Sequence, residues 1–239
     1  MNQLKFSLGP FELFAAIIGG IPLLLAAFLL YQPVDGLQDL MPVIRGSASW
    51  AIAPPVLFAS YVLGGTFQGI TWRYFTLLCK LFNQNYLYFG DMFEAKSKQL
   101  PLELPSLSPG LSFEDRLVLL VREKIGIPAQ LSWLDTRLTA YLQEYEKQTI
   151  LSNAERHLAT HIMYRTWSFG FCWLSVVLTL NLFRSTATTL ELWLLPVGAL
   201  LFAYLTFFQS LQFKRWNNRT LLLGFYFAAS EQGVKSKMK

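Results

Sequence analysis

Apolar and polar positions along this chain alternate segment by segment rather than residue by residue. Four runs of about 20 mostly apolar residues stand out, the length a helix needs to cross the hydrocarbon core of a bilayer. They are residues 11–31 (FELFAAIIGGIPLLLAAFLLY), 50–72 (WAIAPPVLFASYVLGGTFQGITW), 166–183 (TWSFGFCWLSVVLTLNLF) and 192–211 (LWLLPVGALLFAYLTFFQSL). Tyr31, Trp50, Trp72, Trp167, Trp193 and Trp216 stand at or near their ends, as an interfacial aromatic belt does. The first run is too long for a signal-peptide core and no A-x-A site follows it, so it reads as a span.

Between the second and third runs the pattern changes. Residues 73–90 read as an interfacial continuation of the second run, with Arg73 and Lys80 reaching toward lipid head groups. Prolines 101, 105 and 109 mark an extended linker. Ser112 then caps a helix with Asp115 at its third position, and Gly126 and Pro128 end it. Leu117, Leu120, Val121 and Ile125 form its apolar face. A second helix from about Ser132 carries Trp133, Leu134, Leu138, Tyr141, Leu142 and Tyr145 on one side. A third starts near Asn153 and runs into the third apolar run without a stop signal. So few helices bury only a small core, so they are expected to pack on each other, on the stem or on a neighbouring subunit.

The expected fold class is an all-α integral membrane protein: four transmembrane helices with a small helical cytoplasmic domain inserted between helices 2 and 3. The boundaries are 1–82 for the first two spans and their extension, 83–165 for the cytoplasmic domain and stem, 166–211 for the last two spans, and 212–239 for a basic tail ending flexibly in VKSKMK.

Composition supports this reading. Hydrophobic residues make up 53% of the 239-residue chain and charged residues only 15%, against about 25% charged in ordinary soluble domains. The mean hydropathy is +0.36. The net charge of +5 needs no nucleic acid to explain it. Of the 20 lysines and arginines, all but Arg45 and Arg184 lie in the termini, the middle region or the span ends facing them. The positive-inside rule then places both termini and the middle region in the cytoplasm.

Candidate chemistry is sparse. Cys79 and Cys172 form no CxxC or Cys/His cluster. His157 and His161 are four apart and share a helix face, so they are weak metal candidates, but HLATH is not the HExxH of zincins and two ligands fall short of a site. No Walker loop, nucleophile elbow or paired-carboxylate signature is present, so no enzyme and no cofactor is expected. Ser60, Gly64 and Gln68 recur four apart in the second run, and Gly65 with Gly69 makes a GxxxG. These five residues suit helix packing within or between subunits, or a weakly polar pore-lining face. Arg73, Arg165, Trp167, Lys214, Arg215 and Trp216 have the arginine-beside-aromatic pattern of membrane-interface anchors. No acidic or basic residue stands near the centre of any run, which argues against a transporter. Residues 153–183 would make a helix of about 46 Å, so roughly three turns would stand outside a ~30 Å core and carry the histidines on an exposed stem.

FELFAAIIGGIPLLL, SYVLGGTFQG, HIMYRTWSFGF and FQSLQFKRWNNRTLLLGFYFAAS together resemble a loose group of uncharacterised bacterial four-span inner-membrane proteins, some similar to antiphage-defence membrane effectors. The resemblance implies a cytoplasmic domain that senses a signal and spans that then perturb the membrane. The sequence therefore leads to a non-enzymatic membrane effector or pore-forming subunit, with the bilayer and further copies of the chain as partners and no direct nucleic-acid contact. The alternatives are an anchor or scaffold that recruits a soluble cytoplasmic protein and, more weakly, a small transporter or channel subunit.

Overall fold

A computed structural model describes residues 10–32, 52–87, 93, 110–127, 133–184 and 190–237. Among these residues there are seven bounded α-helices and no strand. They are α1 (Pro10–Tyr31), α2 (Ala53–Thr66), α3 (Gln68–Leu81), α4 (Phe113–Lys124), α5 (Leu134–Glu144), α6 (Gln148–Arg184) and α7 (Leu190–Lys237). Arg45, Trp50, the linker prolines, Pro128 and Ser132 lie outside the described residues. Three helices, α1, α6 and α7, are long and apolar enough to cross a membrane.

The second apolar run departs from its expected single helix. It breaks at Phe67 (φ −83°, ψ 1°) into α2 and α3, each of 14 residues. Gly64, Gly65 and Gly69 weaken the helix around this point, and Thr66 Oγ1 donates back to the Val62 carbonyl at 2.7 Å. The break is one residue wide: Phe67 N–H still reaches the Leu63 carbonyl (3.1 Å), and the Phe67 carbonyl accepts from Thr71 N–H (2.8 Å). Asn83 at φ 50° then ends α3, with Gln84 N–H donating to Cys79 O (2.8 Å) and Asn83 N–H to Lys80 O (3.2 Å), a Schellman motif.

The chain forms two compact units. The first comprises Met1–Gln84 and Ala159–Phe213. In it α1 and α2 touch backbone to backbone. A Cβ on Gly20 would lie 1.9 Å from the Ser60 carbonyl oxygen, and one on Gly64 would lie 2.0 Å from that of Ala16. Ala16/Gly20 and Ser60/Gly64 are thus facing small pairs, each four residues apart. Pro22, inside α1, has no N–H for the Ile18 carbonyl four residues back. Trp167 Nε1–H from α6 fills that acceptor at 2.7 Å. Gly170 admits Pro22, since a Cβ there would stand 2.8 Å from the proline Cβ. Ala26 and Leu29 of α1 complete an apolar core with Leu174, Val177 and Leu178 of α6 and Ala199 of α7.

The second unit comprises Asn85–Leu158 and Lys214–Lys239. Ser112 caps α4 as expected, its Oγ accepting from Asp115 N–H at 3.2 Å, and Gly126 (φ 69°) follows the helix end. Arg137 of α5 donates to the Ile125 (2.8 Å) and Gly126 (3.2 Å) carbonyls left open there. Most of the expected apolar faces are buried, Leu117, Leu120 and Val121 of α4 and Leu134, Leu138, Tyr141 and Leu142 of α5, with Ile125 partly buried, but Trp133 and Tyr145, expected on the same side of α5, are exposed at its two ends. The buried residues pack with Leu151 and Ala154 of α6 and with Leu221, Leu222, Phe225, Ala228 and Ala229 of α7. What covers them is therefore the segment expected to be a tail. LLLGFYFAAS continues the apolar pattern past the fourth run, and α7 runs helical to Lys237. Likewise α6 begins at Gln148, ahead of the expected Asn153.

Two predictions follow from this packing. Gly20→Leu or Gly64→Leu will force α1 and α2 apart and destabilise the chain by about 2 kcal/mol or more, whereas Gly65→Ala, with nothing within 4 Å of the added carbon, will not. Thermal unfolding of the detergent-solubilised proteins checks the contrast. Glu146, which holds φ 54° after α5, costs left-handed strain that glycine relieves. Glu146→Gly should raise stability by about 0.5–1 kcal/mol, and an unchanged or lower midpoint would refute the assignment.

Candidate functional site

The most developed polar site lies inside the first unit, along the seam between α6 and α7. His161, Ser168 and Ser175 follow one another at seven-residue spacing on α6 and are buried. Each bonds a main-chain carbonyl of α7, and those carbonyls are also seven apart. His161 Nδ1 lies 3.0 Å from Ser210 O, Ser168 Oγ donates to Ala203 O at 2.8 Å, and Ser175 Oγ donates to Pro196 O at 2.8 Å. This is an antiparallel heptad register written in hydrogen bonds.

His161 is fully buried. A carbonyl can only accept, so Nδ1 carries the proton toward Ser210 O, and Nε2 is left as the acceptor. Ser210 Oγ, 2.9 Å from Nδ1, donates in turn to His161 O at 3.2 Å. Nε2 faces Arg165 Nη1 at 3.5 Å. Arg165 Nε donates to Thr71 Oγ1 at 3.3 Å, and its guanidinium carbon stands 5.3 Å from the centroid of the Trp72 ring. The Phe75 ring closes on His161 at 4.9 Å, nearly edge-on, and Phe207 backs Phe75 at 5.7 Å. The arrangement is a histidine locked into one tautomer with a cation above it, walled by aromatic rings.

This placement corrects the exposed-stem expectation for His161. The two histidines share a helix face but not a site: His157 packs against Trp216 (5.8 Å), whereas His161 turns into the first unit. Among the described residues no three His, Cys, Asp or Glu side chains are grouped to hold a metal.

The other residues singled out from the sequence scatter. Arg165, with 7% of its surface exposed, turns inward rather than outward, and Trp167 turns to α1. Arg73 is exposed. Lys214 pairs with Asp135 at 2.6 Å, Arg215 donates to Asn85 O at 2.8 Å, and Trp216 is 39% exposed, all within the second unit. Ser60 and Gly64 are buried in the α1–α2 contact, and Ser60 Oγ has no partner among the described residues. Gln68, beyond the break, is half-buried, while Gly65 and Gly69 are exposed. Sequence reasoning missed Thr71, Ser168, Ser175 and Ser210. For Ser168 and Ser175 the signal was present as polar residues at 161, 165, 168 and 175, which mark one face of the apolar part of α6.

Comparison with protein families, curated proteins and solved structures found no match to this chain. Nothing in those comparisons ties it to four-span inner-membrane proteins or to antiphage defence.

The seam predicts graded losses. Ser168→Ala and Ser175→Ala should each cost about 0.6 kcal/mol, the mean for helix–helix hydrogen bonds in a membrane protein. His161→Leu should cost more, about 1–3 kcal/mol, because it strips partners from Arg165 and Ser210 together. Unfolding in detergent that ranked the serine variants above His161→Leu in damage would contradict the seam.

Proposed function

We propose that this chain is a multi-pass membrane effector or pore-forming subunit that works without turning over a substrate. The observation that carries the reading is the outer face of α2 and α3. Gly65 and Gly69 are exposed and have nothing within 4 Å, beside a helix break, on a unit whose internal helix contact already uses Gly20 and Gly64. A small-residue face left open on an apolar bundle suits a helix from another copy, and assembly is what a four-span subunit needs to form a pore. Phe14, Phe58 and Val197 are among the large apolar side chains exposed on the first unit, as lipid-facing residues are.

In this reading α2 and α3 together form a fourth crossing bent at Phe67, about 43 Å along the helix axis. Both termini and the second unit lie in the cytoplasm, following the lysine and arginine distribution. Control passes through the second unit, since α6 and α7 each supply residues to both units. Antiphage defence as the setting rests on the sequence resemblance alone. The scaffold alternative draws on Trp133 and Phe227 of the second unit, exposed at 59% and 61%.

Expression in bacteria with a potential-sensitive dye separates the two. An effector depolarises the membrane, and Gly65→Leu with Gly69→Leu abolishes depolarisation while the chain stays folded and membrane-bound. If the parent chain leaves the potential unchanged at every expression level while its second unit retains a soluble protein, the effector reading fails and the scaffold stands.

A further inference from the structure

Helix α3, the last element before the chain passes into the second unit at Asn85, has two unlike faces. Thr71, Phe75 and Cys79, four apart, are buried. On the opposite side Ile70, Arg73, Leu77, Lys80 and Leu81 follow the three- and four-residue spacing of one helix face. All five are exposed, Leu77 at 63% and Leu81 at 71%. The helix contains no acidic residue. Among the described residues neither the Arg73 nor the Lys80 side chain makes an ion pair or a hydrogen bond.

Chain length gives this face a depth. About 20 residues counted from Ala53 use up the hydrocarbon thickness at Trp72. Arg73 comes next, and Lys80 stands seven residues further on, about 10 Å along the axis. Water around this face would leave Ile70, Leu77 and Leu81 as an open apolar strip. Hydrocarbon around it would leave two cations without counter-charges. The head-group layer takes both, because cationic heads reach phosphates there while the apolar groups beside them reach the acyl boundary. Two cations with no acid on the helix also favour lipids of net negative charge.

We propose that the exposed face of α3 docks on anionic phospholipid head groups of the cytoplasmic leaflet, with Arg73 and Lys80 on phosphate oxygens and Leu77 and Leu81 at the acyl boundary. The surface rests on the membrane reading above and adds a lipid preference to it. Negative charge in the leaflet ties down the limb of the crossing that follows the Phe67 break. In a neutral leaflet that limb is held mainly by its buried face, so the bent crossing responds to leaflet charge.

The test uses the full chain, recovered from the membrane fraction and placed one copy per disc in nanodiscs of dioleoylphosphatidylcholine, alone or mixed equally with dioleoylphosphatidylglycerol. Recovery in the soluble fraction would sink the membrane reading before the lipid question arises. Hydrogen–deuterium exchange of residues 70–82 reads the contact. Anionic discs should slow it by about fivefold for each cation, about thirtyfold in all. Salt at about 1 M should erase the difference. Arg73→Gln and Lys80→Gln should each remove about fivefold of the slowing. Arg184→Gln, at an exposed cation that ends α6, should remove none. The salt comparison uses the unsubstituted chain, so it decides the matter even if a variant fails to fold. Equal exchange in neutral and anionic discs would overturn the proposal, as would slowing that salt leaves intact. Protection that needs two copies in a disc, whatever the lipid, would give the face to a second chain and overturn it too.

Discussion

Polar groups placed among apolar helices must find partners inside the protein, and the first unit is organised around that constraint. Its helices carry enough apolar surface to sit in hydrocarbon, where an unmet donor or acceptor costs several kcal/mol. The solution is regular. His161, Ser168 and Ser175 meet the carbonyls of Ser210, Ala203 and Pro196 at matched seven-residue intervals. The same logic repairs α1, where Pro22 leaves the Ile18 carbonyl without its helical donor and Trp167 supplies one. Close packing follows where side chains vanish, at Gly20 against Ser60 and Gly64 against Ala16.

The second unit answers a different constraint. Helices α4 and α5 are amphipathic and short, and alone they bury little. The C-terminal half of α7 supplies Leu221, Leu222 and Phe225 to complete the core. Polar side chains at the entry to that half hold the chain in place: Lys214 on Asp135, Asn217 on Ala154 O at 2.8 Å, and Asn218 on Tyr86 O at 3.1 Å. The basic cluster that read as a lipid contact is to this extent an internal brace, which is why the helix continues where a tail was expected.

What the sequence revealed and what it hid divide along physical lines. The first apolar run as a helix, the Ser112 cap and most of the faces of α4 and α5 depend on local spacing, so they were readable. The break at Phe67 was harder, because Pro54, Pro55 and three glycines all offered places to interrupt the second run. The site around Arg165 was not readable from spacing on one helix. His161 and Ser210 lie 49 residues apart, and Arg165 and Thr71 lie 94 apart. An arginine beside tryptophan has two solutions, outward to head groups or inward over a ring, and only the position of Trp72 decides between them.

The seven-residue seam alone does not fix the register of α6, because a slip of one heptad would re-pair His161 and Ser168 with carbonyls of the same helix. What excludes the slip is a second polar face. Trp167 and Asn181, two heptads apart, bond the Ile18 (2.7 Å) and Leu29 (3.1 Å) carbonyls of α1. A heptad shift would carry Trp167 off Ile18 and Asn181 off Leu29. Ile18 is moreover special, since the missing N–H of Pro22 frees its carbonyl. Helix α6 is thus keyed twice, by a repeating contact with α7 and a non-repeating one with α1. Any movement of α6 that serves signalling must carry the bonded faces of α1 and α7 with it or break five hydrogen bonds together, so motion of the three helices as one body is the cheaper course.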